Sequence, residues 1–299
     1  MNTNSNIISA ISLRTFILAA SVAVALIAGA TASGQNLNWE GQTGAFVTPF
    51  AYASPSSSHG LGRPAISFHY LNAGDVIGNN FQLSLTIGFL KRFEAGYTRA
   101  FNSAGDRPAL SPLLERGFNT FHGKATLVSE NAAKLNFLPA IAAGFVVRSQ
   151  VRHVGGFIRG RDTTNGDLYL VATKTITQLK PLPLVANFGV KATNAAAFGI
   201  AGNAPYWQGR LFGALGFVLK GPASSKLVVG SEFAQQPHRI ENLPGATLPT
   251  TLTYFARVIP DPEKPFNLDF GVAQAAGKVL PNADVRARAQ FALGASYRF

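Results

Sequence analysis

The sequence predicts an all-β fold: a transmembrane, antiparallel, up-and-down β-barrel of about 12 strands. Three observations carry that prediction. Short stretches that alternate apolar with small or polar residues recur from about residue 65 to the last residue. Charged residues make up only 13% of the chain, about half the share usual in a soluble globular protein. The chain also opens with the layout of an export signal.

The signal comes first in the chain. Residues 1–15 are polar with Arg14 as their one charge, Phe16 to Ala28 is apolar, and Gly29-Ala30-Thr31-Ala32-Ser33 is a run of small residues. The apolar run is too short for the ~20 residues that cross a bilayer as a helix. A cleaved secretory signal peptide is therefore expected, with the cut after Ala30 or Ala32. The expected organisation is a signal peptide over 1–32, an N-terminal segment over 33–62 and a barrel over 63–299. Downstream of the signal, the longest apolar stretch, about Leu138 to Val147, is again too short for a membrane helix.

The barrel strands follow from the two-residue period of an extended chain, whose successive side chains point to opposite faces. In the last fifteen residues, Val285, Ala287, Ala289, Phe291, Leu293, Ala295, Tyr297 and Phe299 are apolar. The intervening Arg286, Arg288, Gln290, Ala292, Gly294, Ser296 and Arg298 are polar or small. The same alternation runs through 81–89, 251–258 and 266–273. Looser versions lie near 65–71, 92–101, 118–129, 138–149, 167–178, 182–193, 207–220 and 225–234. Turn chemistry separates them at Asn72-Ala73-Gly74-Asp75, Ser103-Ala104-Gly105-Asp106, Asn165-Gly166-Asp167 and Gly221-Pro222. Two stretches fit the repeat poorly. Residues 36–58 are expected as a first strand or as a plug in the lumen, and 193–206 as a loop with one helical turn at its alanines.

A soluble sandwich and a membrane barrel would both use such strands. The barrel is favoured because the polar faces carry Gly, Ser, Thr and Gln rather than Lys and Glu, and because aromatic residues bracket the strands. Phe81 and Phe89 are eight residues apart, as are Phe291 and Phe299. At ~3.3 Å per residue and a tilt of ~40° this is about 20 Å of height, close to the apolar band between two aromatic girdles. Phe81, Phe89, Phe291, Tyr297 and Phe299 are the expected girdle residues.

The last eight residues, Ala292-Leu293-Gly294-Ala295-Ser296-Tyr297-Arg298-Phe299, resemble the C-terminal β-signal of bacterial outer-membrane proteins. That resemblance implies an outer-membrane location and recognition of the last strand by the barrel-assembly machinery. Gly41-Gln42-Thr43-Gly44-Ala45-Phe46-Val47-Thr48-Pro49-Phe50-Ala51 is similar to the opening stretch of barrels linked to exopolysaccharide export, matching at Thr43, Gly44, Pro49 and Ala51. In length the chain looks more like the small, uncharacterised outer-membrane families. Neither resemblance supplies a functional residue.

No catalytic or metal constellation is expected. With no cysteine, thiol chemistry and Cys zinc sites are excluded. His59, His69, His122, His153 and His238 show no H-E-x-x-H spacing, and no G-x-S-x-G elbow, phosphate loop or dinucleotide fingerprint occurs. Ser67 and His69 share a strand face and would suit the Ser/His pair of an outer-membrane lipid hydrolase; the plainer reading is a polar strand face toward the lumen. No cofactor is implied.

The net charge of +12 points elsewhere. Nucleic acid is a poor partner for an exported barrel. If the apolar faces look outward, the lumen-lining basic candidates are Arg148, Lys191, Arg210, Arg257, Arg286, Arg288 and Arg298, with Lys174 less certain in its facing. Against them stand mainly Glu94, Glu232 and Asp269. A positive lumen would favour anions; alternatively these residues pair with carboxylates or sit at the rims against lipopolysaccharide phosphates. The expected function is a non-enzymatic small channel or export-associated pore for anionic or polar solutes, including saccharides. A closed barrel with a structural or surface-interaction role is the alternative.

Overall fold

The computed structural model describes residues 37–73, 78–103, 114, 117–179, 182–261, 266–276 and 290–299. The signal segment over 1–32, and with it the expected cleavage site, lies outside the described residues.

Alternation along the chain becomes twelve strands closed into a barrel. In chain order they begin with β1 (Ala65–Asn72), β2 (Asn79–Phe89), β3 (Phe93–Ser103), β4 (Asn119–Val128), β5 (Ala140–Val151) and β6 (Thr163–Ile176). There follow β7 (Leu184–Ala195), β8 (Asn203–Lys220) and β9 (Lys226–Ala234), then a short hairpin of β10 (Arg239–Ile240) and β11 (Leu243–Thr247). The circuit ends with β12 (Thr250–Ile259), β13 (Phe266–Ala276) and β14 (Gln290–Arg298). Each barrel strand pairs antiparallel with its neighbours in sequence, and β9 pairs directly with β12 across the hairpin. The sheet closes where β1 meets β14, with Ala65 opposite Arg298 and Leu71 opposite Ala292.

Closure decides where each face goes. On β2, Asn80, Gln82, Ser84 and Thr86 are buried, whereas Leu83 and Leu85 are half exposed. On β12, Thr253, Phe255 and Arg257 point in while Tyr254 points out. Exposed Phe101, Phe121, Phe145, Phe188, Phe217, Phe270 and Phe291 continue the outer belt round the barrel. This is a membrane-spanning exterior, apolar outward and polar inward. Aromatic rings gather at two levels. Phe89 stacks on Phe93 at one end of β2, with ring centroids 5.3 Å apart, and Phe81 lies 5.3 Å from Tyr70 at the other.

The two ends of the barrel differ. At the end where β1 starts and β14 stops, the connections include the tight turns 90–92 and 221–225. At the opposite end they include 152–162 and 235–249, which carries the β10–β11 hairpin. Short turns on the side of the termini and longer loops opposite are the usual polarity of an outer-membrane barrel. The loops are folded together: Leu114, Val154, Ala196, Ile240 and Ala246 form an apolar cluster over that end.

Two sequence expectations are corrected, and one element appears that the sequence does not announce. Asn165-Gly166-Asp167 is not a turn; it lies within β6, where the glycine permits a close backbone approach. A Cβ on Gly166 would come within 2.6 Å of the Val146 carbonyl oxygen. Residues 193–206 are not one loop. β7 runs to Ala195, opposite Asn203 of β8, leaving a single-turn 3-10 helix at Ala196–Gly199. The β10–β11 hairpin had no sequence signal; it is held to β8 by the Glu241 amide, which donates to the Asn203 carbonyl at 2.7 Å. The final strand is described from Gln290, so Arg286 and Arg288 lie outside the described residues.

The exterior assignment can be tested on β2. Leu85→Arg puts a guanidinium in the apolar belt and should cost about 2–4 kcal/mol of unfolding free energy. Urea titration of the protein folded into lipid vesicles measures it, and an unchanged midpoint would place Leu85 away from lipid.

Candidate functional site

The described residues from Leu37 to Ser54 run through the barrel interior. Their own conformation is fixed first by local chemistry. The Asn38 side-chain oxygen accepts from the Glu40 and Gln42 amides at 3.1 and 2.8 Å, and its amide donates to the Val47 carbonyl at 2.9 Å. Gly41 takes a φ of +82°, a left-handed conformation that glycine adopts without steric cost. It also lies so close to the wall that a Cβ would sit 2.7 Å from Ser84 Cβ. Bridges between Leu37 and Thr43 and between Gly44 and Pro49 complete a compact double turn.

The wall grips this segment by its backbone. Glu232 on β9 accepts from the amides of Phe46, Val47 and Thr48 at 2.8, 2.9 and 2.7 Å and from the Thr48 hydroxyl at 2.6 Å. Glu94 on β3 accepts from the Thr43 and Ser54 amides at 3.0 and 2.8 Å. Lys124 on β4 lies 3.2 Å from Glu94 and donates to the Thr43 carbonyl at 2.9 Å. Arg257 on β12 holds Asp269 of β13 in a bidentate pair at 2.5 and 3.0 Å, while its free edge donates to the Gly44 and Ala45 carbonyls at 2.9 and 3.0 Å. Thr86, Thr98 and Thr126 donate to the carbonyls of Gly41, Glu40 and Ala51. Toward the turn end, Tyr52 donates to Glu130 at 2.7 Å.

One ion-pair network joins plug and wall through a plug side chain. Arg148 on β5 is fully buried; it donates to Glu40 at 2.6 Å through Nε and to Asp167 at 2.8 Å through Nη2. Lys191 on β7 lies 3.8 Å from Asp167 and 5.0 Å from the centre of the Phe198 ring. Such charges are stable out of water only when paired and hydrogen-bonded. Apolar contacts complete the fit: Trp39, Phe46 and Val47 cluster with Phe118, Val151, Ile200 and Phe255. The Phe46 ring rests on Gly271 of β13, where a Cβ would come within 3.1 Å of it. What space remains beside Glu40, Gln42, Asp167, Tyr169 and Lys191 is a void of about 20 Å³, room for about one water.

The expected site residues fall into distinct places. Arg148, Lys191 and Arg257 are brought together around the plug. Arg298 is almost fully buried at the turn end of β14. Arg210 is at the loop end, donating to the Gln236 carbonyl at 2.7 Å and to Gln208. Phe291 and Phe299 are exposed, Phe81 and Phe89 are half-buried, and Tyr297 is buried with its ring 5.3 Å from that of Phe299. Ser67 and His69 are buried on the lumen face, not on the outer surface where a lipid hydrolase would need them. Lys124 and Asp167 were not among the lumen candidates. His122, Lys124 and Thr126 form a polar parity opposite Phe121, Ala125 and Leu127, a signal that could have found Lys124. Asp167 was hidden by the turn-like Asn-Gly before it. Within the wall, Lys124, Arg148, Lys191 and Arg257 are thus matched by Glu94, Asp167, Glu232 and Asp269. Among the described residues no three His, Asp or Glu gather closely enough to hold a metal ion.

Over residues 33–256 the chain matches the family described as "Protein of unknown function (DUF3034)". No curated protein matches it. Similar solved structures include the KdgM porin, at 8% identity and a TM-score of 0.45 over 79% of this chain and 99% of that one. The NanC porin aligns at 9% identity and 0.44 over 79% and 100% of the two chains. The outer membrane protein Omp33 of Acinetobacter baumannii aligns at 11% identity and 0.37 over 80% and 99%.

Two measurements test the grip on the plug. In a Trp207→Phe background Trp39 is the one remaining tryptophan, and its emission should be that of a buried indole. Adding Glu232→Ala should shift that emission to longer wavelength and raise its quenching by acrylamide; unchanged emission would mean that Glu232 does not hold the segment. Arg257→Met leaves Asp269 buried without its cation and should cost about 3–5 kcal/mol in urea unfolding. Arg257→Met with Asp269→Asn should recover part of that loss, and no recovery would rule out the pair as its origin.

Proposed function

The chain belongs to the DUF3034 family, whose description assigns no activity, and we propose that it is a gated outer-membrane channel for polar or anionic solutes, closed by residues 37–54. The observation that carries this reading is the kind of contact that holds the plug. Eight strands hydrogen-bond to it, through hydroxyls, amides, carboxylates and cations. Every one of those wall groups could be hydrated if the segment left, so an emptied lumen would be a polar pore and not an exposed core. The wall's threonines, Asn187 and Gln82 would suit the hydroxyls of a saccharide. With the wall charges balanced, any preference for anions would be weak. In this reading the membrane belt and the polarity of turns and loops support the outer membrane as the location, and β14 with the Phe299 that follows it serves as the signal for the barrel-assembly machinery. No catalytic step is part of it.

The buried ion pairs support a second reading, a permanently closed barrel with a structural role, because breaking each of them is costly.

Planar-bilayer recording separates the two. Wild type should be closed most of the time. Glu232→Ala removes charge-assisted hydrogen bonds worth roughly 1.5–3 kcal/mol, which corresponds to about a tenfold to hundredfold rise in open probability. If the variant exposes Trp39 and keeps the heat-dependent gel mobility of a folded barrel, yet passes no current, the channel reading is wrong.

A further inference from the structure

The surplus positive charge does not reside in the plugged wall, where cations and anions match. Among the described residues, the largest group of exposed cations without a carboxylate partner lies at the turn end. Arg63, Lys91, Arg92, Lys134, Lys220 and Lys226 are all exposed there. Among the described residues none of the six has a carboxylate within ion-pair distance. Glu130, on the same end, is already engaged by Lys174 at 3.3 Å. Lys220 and Lys226 stand directly opposite each other in the β8–β9 register. Like charges in that position repel and weaken the pairing unless something anionic lies against them. At the loop end Arg152 lies 3.7 Å from Asp162 and Arg159 lies 2.8 Å from Glu241, which leaves fewer exposed cations there, Arg161 and Arg239, without a carboxylate partner.

The level of these cations matters as much as their number. Lys91 and Arg92 lie in the turn between the stacked Phe89 and Phe93, and Lys220 comes three residues beyond the exposed Phe217. Aromatic girdles mark the edge of the hydrocarbon, so the cations lie at the depth of lipid headgroups. Large apolar side chains are interleaved with them: Phe137 is 75% exposed and Leu61 is 72% exposed. A water-facing rim would leave such groups uncovered. A rim pressed into an interface buries them while the flexible Lys and Arg stems carry their charge to the phosphates.

We propose that the turn-end rim is a collar that binds the phosphate headgroups of anionic phospholipids in the adjoining leaflet. Cations spread over several separate turns fit a charged lipid surface better than one compact solute, and their attraction is screened by salt. This inference rests on the membrane-spanning barrel and not on whether the plug moves.

The test uses the full exported protein folded into phosphatidylcholine vesicles containing phosphatidylglycerol, extracted in mild detergent, with retained lipid quantified by mass spectrometry. Wild type should retain phosphatidylglycerol several-fold above its share in the vesicles, and lose that enrichment in high salt. A variant with Lys91, Arg92, Lys134, Lys220 and Lys226 changed to Gln should retain the two lipids in the vesicle ratio. Changing the same lysines to Arg should keep the enrichment, as should Arg161→Gln with Arg239→Gln at the loop end. Wild type retaining lipid at the vesicle ratio would overturn the collar, as would enrichment that survives the Gln variant or is lost in the loop-end variant. If the Gln variant does not fold, the wild-type enrichment and its salt dependence, set against the loop-end variant, still decide. Lipid retention is read without any current, so a barrel that never opens can still pass this test.

Discussion

Everything inside this barrel depends on one constraint: a charged or hydrogen-bonding group removed from water must find a partner. A twelve-stranded sheet closed on itself turns half of its side chains inward, and in a membrane barrel that half is polar. The lumen formed is too wide for those side chains to satisfy one another across it. Residues 37–54 supply the missing partner as backbone. Arg257 shows the arrangement in miniature, with one edge of its guanidinium on Asp269 and the other on plug carbonyls. Glu232 is the complement, a buried carboxylate answered by three consecutive amides rather than by a cation.

This division of labour explains why the plug resembles neither a strand nor a helix. A regular element would spend its amides and carbonyls on itself. The Asn38 turn, the left-handed Gly41 and the bridge between Gly44 and Pro49 use only part of those groups, and the amides of Thr43, Phe46, Val47 and Thr48 and the carbonyls of Glu40, Gly41, Gly44 and Ala45 are left to the wall. The apolar members, Trp39 and Phe46, then fix the depth of insertion, Phe46 because only a glycine at 271 leaves room beneath its ring.

Much of the barrel was legible in the sequence because its physics is local. Lipid outside and polar groups inside impose a period of two on every strand, and that period marked each barrel strand to within a few residues at most ends. The failures also have local causes. Gly166 looked like a turn residue because a glycine chosen for close backbone approach reads the same as one chosen for a bend. The β10–β11 hairpin is too short to show a period. The candidate site was legible only in part. Parity placed Arg148, Lys191 and Arg257 inward, but parity says nothing about what a side chain meets across the lumen. The plug carbonyls that Arg257 meets, at Ala45 and Gly44, are 212 and 213 positions away in the chain, and no pattern in either segment announces the other.

That separation bears on how the molecule comes to exist. The plug precedes every barrel strand in the chain, and the residues after it pass over the turn end beside the β2–β3 hairpin before β1 begins. Wall groups that hold it are spread from β2 to β13. The ring therefore closes around a segment that must already be in place, or else the segment must thread a finished ring. Either route couples the two ends of the polypeptide in a single late event, and contacts that distant in sequence are the slow ones to form. The order of the elements along the chain thus makes assembly a matter of topology as well as of affinity: the ring is built about its own beginning.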